Sequence, residues 1–146
     1  MSVDVYPGES KRQVEPLEGA VVCCGIYGLF EHTGIWVADH IVELHGSGLV
    51  KAISPQRFLT DRSGASIYIA CNAQLQPLVQ EGASQRAIQR IFTYINYSAL
   101  SRNCHRFTAE CITGLPSDVC SFSDLNAALS RAFKTPVSWY PLRSPG

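Results

Sequence analysis

The stretch His32-Thr33-Gly34-Ile35-Trp36-Val37-Ala38-Asp39-His40-Ile41-Val42-Glu43-Leu44-His45 decides the fold. Two β-prone runs flank Ala38-Asp39-His40, which reads as a hairpin even without the favoured Asn-Gly or Asp-Gly turn. Side chains alternate along a strand, so His32, Gly34 and Trp36 share one face. A two-residue turn puts Glu43 and His45 on that face and Leu44 on the other. With Ala38-Asp39 as the turn, Glu43 lies opposite Gly34 and diagonal to His32. With Asp39-His40, His45 takes that place, and a three-residue loop brings Leu44 there instead. Gly34 has no side chain and leaves room for its neighbours.

Working outward, Ala20–Cys24, Leu49–Ile53 and Ser66–Cys71 have the length and composition of further strands. Ser54-Pro55-Gln56-Arg57-Phe58-Leu59 reads as a helical turn with proline at its first position. The period then changes. Ala87, Ile88, Ile91, Phe92 and Ile95 form one stripe of a helix capped by Ser84. Asn103 caps a second helix that ends at Gly114, with Cys104, Phe107, Thr108, Cys111 and Ile112 on one face. Leu125, Ala128, Leu129, Ala132 and Phe133 mark a third, led by Ser123-Asp124. An antiparallel sheet followed by segregated helices is an α+β domain. Residues 17–134 are expected to form that single domain. Residues 1–16, with a turn at Pro7-Gly8, and residues 135–146, with three of the eight prolines, are expected to be irregular.

Composition narrows the function. The chain has 146 residues, and twelve Lys/Arg balance twelve Asp/Glu, which excludes nucleic-acid binding by bulk electrostatics. Its longest apolar run, Ala20–Phe30, is shorter than the ~20 residues of a membrane span, so no integral membrane segment is expected. The first thirteen residues lack the apolar core of a secretory signal. Six cysteines are too few for a disulfide scaffold, which needs about 8–10%. A cytoplasmic, reducing location is the expectation. No metal or cofactor is expected either. Cys23-Cys24 lacks a Cys-x-x-Cys spacing. Gly46-Ser47-Gly48 lacks the Gly-Lys-Ser/Thr of a phosphate loop.

Cys104 is placed for chemistry. Behind an Asn103 cap it occupies the first helical turn, where unpaired N–H groups and the helix dipole favour a thiolate. A thiolate, not a thiol, is the attacking species. Of four histidines, His40 falls in the turn. His105 follows Cys104 at about 100° around the helix, so the two side chains are expected to diverge. His32, opening a strand, is the base, and Glu43 or His45 would hold its tautomer.

These residues resemble a known family. Glu31-His32-Thr-Gly-Ile-Trp-Val37, Ile41-Val-Glu-Leu-His-Gly46 and Asn103-Cys104-His-Arg-Phe107 look like the lecithin:retinol acyltransferase-like family, its bacterial members in particular. The resemblance runs from about Leu17 to Gly114 and includes Ile53-Ser-Pro-Gln-Arg-Phe58. It implies a circularly permuted, NlpC-type papain-like fold, with His32 as base and Cys104 as nucleophile. Two departures stand out. Glu43 replaces the usual second histidine, with His45 two residues on, and Asn-Cys-His-Arg-Phe replaces the commoner Asn-Cys-Glu-His-Phe. The resemblance implies acyl transfer or hydrolysis through a thioester on Cys104, with a lipid, peptide or amide as the acyl-bearing substrate. The alternative is an inactive domain of the same scaffold that binds a partner through the old cleft.

Overall fold

The computed structural model describes residues 2–26, 29–60, 66–98 and 103–143. The hairpin is formed by β3 (Leu29–Val37) and β4 (His40–Leu44), paired antiparallel as Val37 with His40, Trp36 with Ile41 and Ile35 with Val42. Ala38 and Asp39 both take positive φ, 49° and 62°, giving the two-residue turn whose twist matches that of the strands. Of the three turn registers the sequence allows, this is the one that sets Glu43 against Gly34.

The hairpin lies inside a seven-stranded, mostly antiparallel sheet ordered β1-β7-β6-β2-β3-β4-β5 among the described residues. The other strands are β1 (Val3–Val5), β2 (Val21–Ile26), β5 (Val50–Ile53), β6 (Ile67–Cys71) and β7 (Val137–Pro141). Alternation gives the sheet two buried faces. Ile35, Val37, Val42 and Leu44 pack with Phe107, Cys111, Ile112 and Leu125 of the helical layer. Trp36, Ile41, Val22 and Ile69 pack on the other face with Phe58 and Tyr140.

The helices are α1 (Pro55–Leu59), α2 (Ala83–Gln89), α3 (Cys104–Thr113) and α4 (Phe122–Phe133). The architecture is α+β. Ser54 caps α1 by accepting from the Arg57 N–H, and Pro55 opens it. The third predicted helix starts one residue before Ser123-Asp124, because the Ser121 hydroxyl accepts the Asp124 N–H and acts as the cap.

Two expectations fail, both for non-local reasons. Residues 1–16 and 135–146 are not irregular throughout: β1 pairs in parallel with β7, and β7 pairs antiparallel with β6. Val137-Ser138-Trp139-Tyr140 is β-prone between its flanking prolines, and the buried Trp139 indole donates to Asn126 Oδ1 at 2.9 Å. Met1 and residues 144–146 lie outside the described residues. The stripe from Ala87 to Ile95 likewise does not stay helical. It is capped by Gly82 rather than Ser84 and ends at Gln89. Residues 92–95 instead pair with the edge strand: the Phe92 N–H donates to Val50 O, the Val50 N–H to Thr93 O, and the Ile95 N–H to Gly48 O. That approach is tight enough for glycine alone, since Gly48 has φ +94° and a Cβ there would meet the Ile95 carbonyl. Phe92 is left 80% exposed.

Candidate active site

Two elements meet at the site. Helix α3 starts where it does because Asn103 is an effective cap. Its Oδ1 accepts from the N–H groups of His105 at 3.1 Å and Arg106 at 3.4 Å. Its Nδ2 donates to Cys120 O at 2.7 Å, which ties the cap to the segment before α4. Gly114, at φ 73°, closes the far end. Cys104 is therefore the first helical residue, and it is buried at 6% exposure.

The second element is the hairpin. His32 lies in β3 beyond the last β3–β4 pair, and its Nε2 is 2.6 Å from Glu43 Oε1. Both residues are buried, Glu43 almost completely. Helix α1 supports the ring from the same face, with the Phe58 centroid 5.2 Å from that of His32. With Nε2 held by a carboxylate, Nδ1 is the nitrogen left for the thiol. Burial alone would lower the His32 pKa. Hydrogen bonds and opposite charge from Cys104 and Glu43 outweigh it and raise the pKa above its ordinary value.

The thiol answers in the opposite sense. Burial opposes ionisation of Cys104, but hydrogen bonds from His105 and His32, with their positive charge, hold it well below its ordinary value. The other cysteines differ. Burial pushes Cys71 and Cys111 up to about 12. Cys120 is raised by its hydrogen bond to the Asp124 carboxylate.

The predicted residues sort as follows. Cys104, His32 and Glu43 come together. His45 does not join them. It lies in the β4–β5 turn, where its Nδ1 is 3.0 Å from Ser47 Oγ and accepts the Ser47 N–H at 3.1 Å. His40 is not in the hairpin turn but opens β4, paired with Val37; it is exposed, with Nδ1 2.9 Å from Ala38 O. His105, next along α3, has its Nδ1 3.2 Å from the Oγ1 of Thr33, a residue whose parity turns it toward the helices.

The first-turn donors are also fewer than the sequence suggests. The His105 and Arg106 N–H groups serve the Asn103 cap, so the Cys104 N–H is the one the cap leaves over. Among the described residues, no group of three or more His, Cys, Asp or Glu side chains is arranged to hold a metal ion. Nor is any helix among them long and apolar enough to cross a membrane. No protein-family model matches this chain, and no curated protein matches it.

Removing the negative charge beside His32 should pull its pKa back down. In Glu43→Gln, an NMR titration of the His32 ring should show that downward shift. An unchanged titration would mean that the carboxylate does not act on the ring.

Proposed function

We propose that this protein is a cysteine-dependent acyltransferase or hydrolase, with Cys104 as nucleophile, His32 as base and Glu43 as the residue that orients His32. One observation carries the reading: His32 stands between a thiol at a helix start and a buried carboxylate 2.6 Å from its Nε2. Glu43 accepts the Nε2 proton, so Nδ1 presents the lone pair that takes the thiol proton. The thiolate attacks the acyl carbonyl, and His32 returns the proton to the departing alcohol, thiol or amine. Water or another acceptor then resolves the thioester, again with His32 as base. The Cys104 N–H is the backbone donor suited to the developing oxyanion. The base-bearing strand precedes the nucleophile helix in the chain, which supports the permuted papain-like reading. A cysteine content too low for a disulfide scaffold supports a reducing, cytoplasmic setting. The acyl-bearing substrate is an ester, thioester or amide.

Iodoacetamide separates the thiols. Cys104 should alkylate below pH 7, well ahead of the other five, because its pKa is held well below the ordinary thiol value while burial pushes Cys71 and Cys111 up. Intact-mass analysis after incubation with p-nitrophenyl acyl esters should then show one acyl group, lost on alkylation of Cys104. Cys104 reacting no faster than a free thiol, with no acyl adduct, would favour the binding-module reading instead.

A further inference from the structure

Thr33 is a fully buried polar residue that the mechanism leaves without a task. Its Oγ1 is 3.2 Å from His105 Nδ1 and 3.1 Å from Thr108 Oγ1, both on α3. A hydroxyl can donate to one neighbour while it accepts from the other, so Thr33 serves both. Those partners are buried as well, Thr108 completely. The Phe122 ring of α4 backs the imidazole at 6.0 Å between centroids and itself rests on Trp139 at 5.2 Å. Around this network the contact is apolar, with Ile35 and Val37 of β3 clustered with Phe107, Cys111 and Ile112 of α3.

Apolar packing is non-directional and lets a helix shift along a sheet, whereas hydrogen bonds fix distance and angle. Two bonds to residues about one helical turn apart fix both the position of α3 along β3 and its rotation. Any slip leaves buried polar groups unpaired, which is costly. The place of these residues in the chain gives the tie its consequence. Thr33 follows His32, and His105 follows Cys104, so base and nucleophile each stand one peptide from a tied residue. Thr108 also shares a helix face with Cys104, four residues on. We propose that Thr33 is a positioning residue, whose hydrogen bonds to His105 and Thr108 hold Cys104 in register with His32. This deepens the acyl-transfer reading and rests on it. A misplacement of about 1 Å can cost roughly 100-fold in rate, so register is worth holding.

The test is kcat and KM on p-nitrophenyl acyl esters, with a melting curve, for variants of the full chain. Thr33→Val keeps the branched shape and removes the hydroxyl. It should lower kcat by about 10–100-fold and leave KM within about twofold. Thr33→Ser, which restores the hydroxyl, should recover most of that loss. Ile35→Val on the same face of β3 is the stability control. It should lower the melting temperature and leave kcat within about twofold of wild type. Should Thr33→Val fail to fold, Thr108→Val removes one of the two bonds and should lower kcat by roughly three- to tenfold. Wild-type kcat in whichever of the two folds, or a loss in Ile35→Val as large as theirs, overturns this proposal and leaves the acyl-transfer reading standing. A wild type that turns over none of these esters and takes up no acyl group overturns both.

Discussion

Cys104→Ala should abolish turnover of every acyl substrate that the wild type accepts, by about 10⁴–10⁶-fold in kcat, while the fold survives. Removing a nucleophile has an effect of that order because the members of such a site act as a unit. The fold should survive because the change deletes one atom from a residue at the first position of α3, whose cap is supplied by Asn103. A panel of fluorogenic acyl esters and amides supplies the substrate. The variant's kcat/KM on the best of these, with its melting curve, is the measurement. Wild-type activity in the alanine variant would remove Cys104 from the chemistry. His32→Ala should match it closely in turnover, since nucleophile and base act as a unit.

Gly34→Ala should have the largest effect on stability. A Cβ at this position would lie 2.7 Å from Ile41 Cγ2 and 2.7 Å from the Val42 carbonyl oxygen. Neither can give way cheaply. Ile41 is fully buried, and Val42 belongs to the β3–β4 ladder. Overpacking of this kind costs about 1–3 kcal/mol, and a backbone obstacle puts this case at the upper end. At this chain length the melting temperature should fall by roughly 3–10 °C. Activity should fall further than stability requires, because prising β4 from β3 lengthens the 2.6 Å contact between Glu43 and His32. An alanine variant with the wild-type melting temperature would show that the hairpin has slack.

What could be read from the residues divides along a physical line. The hairpin, its turn and its parity are local matters, so the sequence places His32, Gly34 and Glu43 on one face before any packing is known. The start and end of α3 are equally local, fixed by Asn103 and Gly114. The choice between Glu43 and His45 depends on the turn register, which Ala38 and Asp39 settle through positive φ values that their side chains do not advertise. The strands near the two ends were illegible because each exists only through its partner. A three-residue run such as Val3-Asp4-Val5 has no independent preference worth reading. The end of α2 was missed for a related reason: Ile95 continues a helical stripe, but its N–H is claimed by Gly48 across the chain.

The pairing of β1 with β7 also sets a timetable. Val3 aligns with Val137, and β7 stands between β1 and β6, so the first strand has no place until nearly the whole domain has been synthesised. At about 5–20 residues per second, that wait on the ribosome lasts roughly 7–27 s. The central strands and the hairpin can collapse in that interval, but the sheet stays unfinished on the side where β7 will dock. Long-range closures of this kind come late, because chain entropy is lost before the contacts that compensate it are made. Assembly of the β3–β4 hairpin is thus separable in time from completion of the sheet that carries it.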